Sequence, residues 1–176
     1  MNLGKAIDFE SIHIEILREE HKLTKFCCGN KEIDDFIQKE AWDFQNERLG
    51  VSYVFSYKDV PVGFVTLSMA DLKKEKMGRD DKLQIGKENY PALQISQLAV
   101  LKELGNMDIG TYLCDFCLDQ AYKFSEKVGC RFLVLNAVQN SIGFYIKYGF
   151  KMLPKQEGRR EPVMFLNIFN KKQVQA

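Results

Sequence analysis

The residues best placed to bind a charged ligand lie between a strand ending in Leu98-Ala99-Val100 and a long helix beginning near Ile109. The first amides of a helix have no partners within that helix, and the helix dipole favours negative charge there. The spacing therefore predicts an anion site in the loop that joins the strand to the helix. Many helices follow strands, so this pattern alone does not define an activity.

Two side chains offer proton chemistry, Tyr145 and His21. A phenol has a pKa of about 10, so Tyr145 stays protonated near neutral pH and could donate a proton. Ile142 and Ile146 share its helical face, so from the residues alone packing on a sheet is the preferred role of Tyr145. His21 is a remote candidate base, although a single histidine near a strand end is more often a surface or capped residue.

Cys114 and Cys117 lie one helical turn apart and could form half of a metal site. No second pair of ligands accompanies them, because His13 and His21 lie far away near the amino terminus. We therefore expect these thiols to pack in the protein interior, and we expect no structural metal.

The first residues lack the apolar run of an export signal, so the sequence predicts a cytoplasmic protein with reduced thiols.

Length and composition predict one globular domain over residues 1–176. No apolar stretch is long enough to span a bilayer, so we expect no membrane partner. The formal net charge of +1 gives no overall field that would attract nucleic acid. We expect one basic segment near the carboxyl terminus to be a solvated edge. This basic segment comprises Lys147, Lys151, Lys155, Arg159, Arg160, Lys171 and Lys172.

The first half of the chain predicts a helical region followed by a hairpin. Apolar residues in 33–44 recur at helical spacing, and Gly29-Asn30 supplies a start. Residues 51–57 alternate as a strand, and Lys58-Asp59 makes a tight turn into a second strand. The highly charged stretch 71–89 predicts a long exposed loop or a short surface helix.

The second half predicts a strand with an irregularity, followed by a long helix. Leu93 and Ile95 alternate, and the apolar phase then shifts by one residue to Leu98 and Val100. A bulge near residues 96–97 would absorb that shift. Apolar residues then follow helical spacing from residue 109 to residue 128, where Gly129 ends the helix.

The remaining elements complete a mixed α/β fold. Residues 131–138 are apolar on both faces, as in a buried strand beside a crossover helix. Asn140 or Ser141 can cap a short helix that Gly149 ends, and strands follow near 150–153 and 162–169. The hairpin and the terminal strands are antiparallel elements, so this order excludes a doubly wound parallel sheet.

Several of these segments resemble the GNAT superfamily of N-acetyltransferases, in particular the branch that includes acetyltransferase toxins of toxin–antitoxin pairs. The resemblance runs over nearly the whole chain. The segments that carry it are Phe26-Cys27-Cys28-Gly29-Asn30-Lys31-Glu32-Ile33, Val62-Gly63-Phe64-Val65-Thr66-Leu67-Ser68, Gln97-Leu98-Ala99-Val100 and Asn140-Ser141-Ile142-Gly143-Phe144-Tyr145-Ile146-Lys147-Tyr148-Gly149-Phe150.

The resemblance implies a GNAT fold whose mixed central sheet is splayed between two parallel strands, about 92–100 and 131–138, with helices on both faces. It also implies acetyl-CoA as co-substrate, with no metal, and Tyr145 as the acid that protonates the CoA thiolate. The pantetheine arm would pair with the first of those strands, and an amide of that strand would polarise the acetyl carbonyl. The implied cofactor-binding residues are Leu98, Ala99, Val100, Gly105, Asn106, Met107, Asp108, Ile109, Gly110, Thr111, Asn140 and Phe144.

The pyrophosphate loop departs from the family pattern. The usual motif is Gln or Arg, two residues, Gly, one residue, and Gly or Ala. Aligned on Gly110, this chain has Gly105 at the leading position and Asp108 at the middle glycine. Aspartate tolerates a positive φ better than most residues and can cap a helix. Its carboxylate would nevertheless repel a pyrophosphate unless the side chain turns away.

The predicted reaction is direct transfer of the acetyl group to a primary amine. The bulged strand offers Gln94, Ser96 and Gln97 where some family members place a glutamate base. The missing carboxylate favours either an α-amino acceptor of ordinary pKa about 8 or a proton relayed through water. Aminoacyl-tRNA is one acceptor left open, although the near-neutral charge does not favour it. Protein amines and small polyamines or antibiotics also remain open, as do a homodimer and an antitoxin partner. The alternative is a degenerate GNAT domain that works as an interaction module without activity.

Overall fold

A computed structural model describes residues 7–21, 23–105 and 107–169. The helices are α1 Lys31–Asp35, α2 Ala41–Asn46, α3 Ile109–Lys127 and α4 Ile142–Tyr148. The strands are β1 Ile12–Ile16, β2 Val51–Tyr57, β3 Val60–Lys73, β4 Asn89–Val100, β5 Phe132–Asn136, β6 Lys151–Met152 and β7 Val163–Asn167.

The described strands form a mixed sheet of order β1-β2-β3-β4-β5-β7-β6. β4 and β5 run parallel, whereas β1 with β2, β2 with β3, and the two pairs that contain β7 run antiparallel. The predicted mixed α/β fold with a parallel strand pair is therefore confirmed. The chain divides into two compact units, one of residues up to Ser68 with Ser96–Phe116, the other of Met69–Ile95 with residues from Cys117 onward.

The first unit contains the predicted helical region and hairpin. Asn30 caps α1, because its side-chain oxygen accepts from the amides of Glu32 and Ile33 at 3.1 and 3.4 Å. A π-helical turn, Phe36–Glu40, then joins α1 to α2. Between β2 and β3, Lys58 and Asp59 both have positive φ, of 50° and 61°. Two consecutive residues of this kind make the tight turn whose twist suits a hairpin.

A side chain from α2 completes the ladder between β1 and β2. The Leu17 amide donates to the Ser52 carbonyl at 2.8 Å. The return bond runs through Gln45, whose side-chain oxygen accepts from the Ser52 amide at 2.9 Å and whose side-chain nitrogen donates to the Leu17 carbonyl at 2.8 Å. Gln45 thus attaches α2 to the end of β1 by satisfying both backbone groups.

Replacing Gln45 by Ala should lower the free energy of unfolding by about 1–3 kcal/mol, because two part-buried backbone groups lose their partners. Gln45→Glu keeps an acceptor for the Ser52 amide but sets a carboxylate oxygen against the Leu17 carbonyl, so it should cost at least as much. Urea denaturation of both variants measures the loss. Gln84→Ala is the control, because Gln84 is exposed and its replacement should cost no more than about 0.5 kcal/mol. A Gln45→Ala variant as stable as that control would show that the bridge contributes nothing.

The start of α3 packs on β2 and β3. Phe55 is fully buried and makes edge-to-face contacts with Tyr112 and Phe116, with ring centroids 6.2 and 5.1 Å apart. Gly63 leaves room for the Leu113 side chain, which would lie only 3.0 Å from a Cβ atom at that position. These contacts fix the helix whose first turn was predicted to bind an anion.

The second unit is built around β5. β4 pairs in parallel with β5 over Ala92–Ile95 and Phe132–Leu135. Residues 132–135 are all buried, which confirms the prediction of a strand that is apolar on both faces. β7 pairs with the other edge of β5. The Phe132 ring contacts the rings of Tyr90 and Phe165, with ring centroids 5.6 and 6.0 Å apart. All three residues belong to the hydrophobic core of this unit.

Several predictions of exposure and phase differ from the structure. The stretch 71–89 is not wholly exposed, because β3 continues to Lys73 and both Leu72 and Met77 are buried. Val128, assigned to the buried stripe of α3, is 69% exposed. In β4 the next buried residue after Ile95 is Ala99, four positions later, so the two side chains lie on the same face of a regular strand. A bulge near residues 96–97 would have moved the buried positions by one residue, and the burial pattern does not support it.

Within the described part of the chain, no helix combines the length and apolar character that a membrane span requires.

Candidate functional site

The loop that carries the predicted anion site is tied to earlier segments by backbone hydrogen bonds. The Leu101 amide donates to the Val62 carbonyl, and the Lys102 amide donates to the Cys27 carbonyl, each at 2.9 Å. Residues Lys102–Leu104 form a 3₁₀ turn in which Leu104 is buried. The segment between β4 and α3 is therefore fixed by the backbone hydrogen bonds of Leu101 and Lys102 and by the buried side chain of Leu104.

The loop amides differ in whether they can face a ligand. The Gly105 amide donates to the Lys102 carbonyl at 3.4 Å, and the Met107 amide donates to the Leu104 carbonyl at 3.1 Å. The first intrahelical bond of α3 runs from Tyr112 to the Asp108 carbonyl. The amides of Ile109, Gly110 and Thr111, which precede that bond, are therefore the ones oriented outward along the helix axis. Asn106, also predicted to bind the cofactor, lies outside the described residues.

Asp108 adopts a left-handed backbone conformation, which glycine enters more readily than other residues. Its φ is +55°, in the left-handed region, and its side chain is exposed. Residues that cap a helix through their side chains usually have extended backbone angles, so this conformation does not favour the capping role for Asp108. The next residue, Ile109, is buried and anchors the start of α3.

The end of β4 places the other predicted cofactor residues. Ala99 is buried in a cluster that includes Leu17, Phe26 and Phe64. Leu98 and Val100 are half-buried. The backbone pairing predicted for Leu98 and Val100 stays a prediction. Ser96 is one of the residues in the strand segment where a general base was sought. Its hydroxyl lies 2.7 Å from the hydroxyl of Ser68, so the two form a hydrogen bond.

Tyr145 lies on α4 and is 7% exposed. Its ring makes edge-to-face contacts with Phe144 and Phe150, with centroids 5.1 and 5.5 Å apart. Its carbonyl accepts from the amides of Gly149 and Phe150 at 3.0 and 2.9 Å, and Gly149 ends the helix with a φ of +118°. The ring and backbone of Tyr145 are thus fixed, as a positioned proton donor requires.

The helix start that precedes Tyr145 differs from the prediction in its capping. Residues Gln139–Ser141 form a 3₁₀ turn, and Asn140 is exposed. Ser141 holds the N-cap position of α4, but its hydroxyl donates backward to the Val138 carbonyl at 2.9 Å instead of accepting from the helix. A contact between Asn140 and CoA stays a prediction.

His21 has a local structural role. Its Nδ1 accepts from the Arg18 amide at 2.8 Å, and its Nε2 lies 3.5 Å from a carboxylate oxygen of Glu15. His21 is thus a capped residue, the alternative that the sequence offered to a role as general base. Its Nδ1 is already occupied as an acceptor within its own turn.

The cysteines carry thiols, and the pair on α3 is packed. Cys114 and Cys117 are fully buried, and burial raises the pKa of Cys114 above its ordinary value. Among residues 7–21, 23–105 and 107–169, no group of three or more His, Cys, Asp or Glu side chains could hold a metal ion.

The basic segment is partly neutralised. Lys151 forms an ion pair with Asp81 at 2.5 Å. The carbonyls of Arg159 and Arg160 both accept from the side chain of Gln139, which fixes the backbone there. Lys171 and Lys172 lie outside the described residues.

Comparison with known proteins identifies the same family as the motifs. Residues 14–150 match the model of the acetyltransferase (GNAT) family. A tyrosine-to-phenylalanine mutant of KacT superposes with a TM-score of 0.84 at 19% identity, over 93% of this chain and 99% of that one. AtaT complexed with acetyl-methionyl-tRNAfMet gives 0.78 at 20% identity, over 89% and 94%. AtaTR bound with AcCoA gives 0.76 at 20% identity, over 90% and 95%. At these identities the structures establish a shared fold.

Proposed function

The chain belongs to the GNAT acetyltransferase family, and from that membership we propose that it transfers the acetyl group of acetyl-CoA to a primary amine by direct attack. The observation that carries the proposal is the first turn of α3. It follows β4 through a fixed loop in which Asp108, at the position of a family glycine, has a φ of +55°. This left-handed φ is one that glycine adopts easily, which supports the proposal that the loop follows the path needed to bind phosphate.

The residues present fit the phosphates of acetyl-CoA through backbone groups. Ile109, Gly110 and Thr111 offer successive amides at the positive end of a 19-residue helix. Gly110 adds no side chain that could obstruct an approaching phosphate. The exposed carboxylate of Asp108 is the one feature that opposes an anion there. We propose that it turns toward solvent when the donor binds.

Acetyl-CoA supplies an activated thioester carbonyl to the reaction. In the proposed mechanism the neutral amine forms a bond to that carbonyl carbon, and the carbon–sulfur bond breaks. Tyr145 gives its phenolic proton to the departing sulfur and then regains one from solvent, to which the amine has lost its own proton. Contacts with Phe144 and Phe150 hold the ring in place during this transfer. An α-amine of pKa about 8 has enough neutral form at pH 7 to react without a strong base.

The acceptor is proposed only as a primary amine. AtaT, one of the structural relatives, is described in complex with acetyl-methionyl-tRNAfMet, so an aminoacyl-tRNA belongs in the first set of substrates to assay. AtaT is also described bound to the antitoxin AtaR. A small antitoxin is therefore the protein partner to test for this chain.

Isothermal titration with acetyl-CoA tests the proposal directly. We expect binding, followed by transfer of label from radioactive acetyl-CoA to at least one member of a panel of aminoacyl-tRNA, peptide amines, polyamines and aminoglycosides. Absence of binding at millimolar acetyl-CoA would defeat the enzyme proposal. It would favour the alternative, a degenerate domain that acts through protein interactions.

Asp108 provides a prediction about donor affinity. Asp108→Gly and Asp108→Asn should both tighten acetyl-CoA binding by no more than about fivefold, because unit charges 4 Å apart in water interact by about 1 kcal/mol and a carboxylate turned to solvent lies farther away. Both replacements tolerate the left-handed backbone, so the loop should keep its path. Titration calorimetry of the two variants measures the change.

Asp108→Ala is the matched control for backbone strain. It removes the charge but disfavours a φ of +55°, so it should lower the melting temperature while the other two variants do not. Weaker acetyl-CoA binding by both Gly and Asn variants would mean that the carboxylate contacts the donor favourably, contrary to our proposal.

A further inference from the structure

Cys27 and Cys28 are adjacent in the chain, and two hydrogen bonds fix the peptide group between them. The carbonyl of this group belongs to Cys27 and accepts from the Lys102 amide at 2.9 Å. Its N–H belongs to Cys28 and donates to Oδ1 of Asp34 at 2.7 Å. One peptide group thus joins the start of the loop between β4 and α3 to helix α1, and all of these residues belong to the first unit.

Gly29 allows the cysteine segment to lie close to that loop. It has a φ of +90°, in the region that favours glycine. A Cβ atom at this position would lie 3.3 Å from Cδ of Lys102, which is a tight contact. The aliphatic chain of Lys102 therefore packs on the bare backbone of Gly29, next to the hydrogen bond between Lys102 and Cys27.

Both thiols lie beside the same carboxylate. The Cys27 thiol donates to Oδ2 of Asp34 at 3.3 Å, and the Cys28 thiol also interacts with this carboxyl group. Burial opposes the ionisation of Asp34, but hydrogen bonds from Cys28 and Cys27 hold the pKa of its carboxyl below the ordinary value. Two thiols that share one carboxylate are directed toward the same point, as a bond between their sulfur atoms requires.

The two thiols differ in their access to solvent. Cys27 is exposed, so a small oxidant can reach its sulfur atom. Cys28 is half-buried, and burial, followed by the hydrogen bond with Asp34, raises the pKa of its thiol to about 11. Cys28 therefore stays protonated near neutral pH, whereas the thiolate is the form that attacks an oxidant. Cys27 is accordingly the cysteine that reacts first.

A peroxide is the class of oxidant that suits this arrangement. The Cys27 thiolate attacks one oxygen of hydrogen peroxide, so that a sulfur–oxygen bond forms and the oxygen–oxygen bond breaks. The departing hydroxide takes up the proton that Cys27 had released and becomes water. The sulfur of Cys28 then attacks the sulfur of Cys27, the sulfur–oxygen bond breaks, and the second hydroxide leaves as water with the proton of Cys28. The two sulfur atoms have then given two electrons to the peroxide.

A disulfide between adjacent residues cannot leave the peptide group between them where it is. Cα atoms joined by a trans peptide lie about 3.8 Å apart, whereas disulfides usually join Cα atoms about 4.4–6.8 Å apart. Ring closure must therefore turn the peptide group that bonds to Lys102 and Asp34. The same strain makes such a disulfide easy to reduce, which suits a reversible modification.

We propose that Cys27 and Cys28 are an oxidation site, and that their disulfide releases the loop between β4 and α3 and weakens acetyl-CoA binding. The loss should be about two- to tenfold, the usual contribution of one hydrogen bond. The effect on affinity rests on the proposed binding of acetyl-CoA. The formation of the disulfide and its effect on the loop do not, so they can be tested separately.

Mass spectrometry of the full chain tests whether the disulfide forms. After treatment with hydrogen peroxide and alkylation under denaturing conditions, the peptide that contains Cys27 and Cys28 should lack two hydrogen atoms and carry no alkyl group. Reduction with dithiothreitol should make both thiols available for alkylation again. Cys114, Cys117 and Cys130 are buried, so they should be alkylated in the same sample. A Cys27–Cys28 peptide that stays fully alkylated, or that carries only sulfinic acid, overturns the proposal.

Amide hydrogen exchange followed by NMR reports on the loop without acetyl-CoA. Oxidation should speed exchange of the Lys102 amide by about two- to tenfold, because its acceptor is the Cys27 carbonyl. The neighbouring Leu101 amide donates to Val62 and should change less, so it is the internal control. Unchanged exchange of the Lys102 amide in a chain that contains the disulfide overturns the proposed release of the loop.

Titration calorimetry compares acetyl-CoA binding by the reduced and the oxidised chain. We expect weaker binding after oxidation and full recovery with dithiothreitol. Cys27→Ser cannot form the disulfide, so its affinity should equal that of the reduced wild type with or without peroxide. Equal affinities of the reduced and oxidised wild type, or the same loss in Cys27→Ser after peroxide, overturn the proposal. If the reduced chain does not bind acetyl-CoA, the proposed function fails, and exchange of the Lys102 amide alone decides whether the disulfide releases the loop.

Discussion

Replacing Tyr145 by Phe should lower kcat by about 10²–10⁴-fold, the usual contribution of a positioned general acid. The acetyl-CoA dissociation constant should change little, because the hydroxyl acts only as the carbon–sulfur bond breaks. The ring keeps its contacts with Phe144 and Phe150 in this variant, so the fold should not change. Steady-state kinetics and titration calorimetry on the same preparation separate the two quantities.

Tyr148→Phe is the matched control for that experiment. Tyr148 lies near the end of the same helix, also contacts Phe150, and is only half-buried. Loss of its hydroxyl should leave kcat within about twofold, because the mechanism assigns it no proton transfer. Turnover by Tyr145→Phe that equals the wild type across the pH range would remove Tyr145 from the mechanism. The packing role considered from the sequence would then be its only one.

Local patterns predicted the elements that depend on local interactions. The Asn30 cap and the helix ends at Gly129 and Gly149 have the conformations that their residue types favour. The turn at Lys58-Asp59 forms as predicted, although lysine seldom adopts a positive φ. The same holds for β5, whose unbroken apolar run indicated burial on both faces. For the cap, the turn and the helix ends the deciding interaction lies within a few residues along the chain, whereas β5 is recognised by its composition and is buried by strands distant in sequence.

The wrong predictions concern contacts that are distant in the sequence. Periodicity places Val128 on the same stripe as the rest of α3, but it does not reveal that the helix ends at Lys127 and leaves Val128 exposed. Leu72 and Met77 lie in a charged stretch and are nevertheless buried, because Tyr90 and Phe132 provide an apolar surface for them. The spacing of apolar residues indicates the direction of a side chain but not what lies opposite it.

The candidate site shows the same division. The sequence indicated that Asp108 could adopt a positive φ, since aspartate tolerates that region, and the structure has it at +55°. It did not indicate that the amides of Gly105 and Met107 are used within the loop, because a 3₁₀ turn has no strong residue signature. The bridge made by Gln45 was also missed, since no local pattern relates it to Leu17.

Phe132→Ala should lower the free energy of unfolding by about 3–5 kcal/mol, the usual cost of removing a buried phenylalanine. Phe132 is fully buried and contacts the rings of both Tyr90 and Phe165, so its removal leaves a cavity lined by rigid aromatic groups. Whole domains are stable by only about 5–15 kcal/mol, so the variant should be close to unfolding at 37 °C. Urea denaturation followed by circular dichroism measures the loss.

Phe132→Leu and Val128→Ala calibrate that measurement. Leucine fills part of the cavity and should cost clearly less than alanine. Val128 is 69% exposed, so its replacement by alanine should change stability by no more than about 0.5 kcal/mol. Because Phe132 pairs with Ala92 of β4, a large loss confined to Phe132→Ala would show that the β4–β5 pair depends on this ring. A cost for Phe132→Ala no greater than that of Val128→Ala would contradict the assignment of this ring to the core.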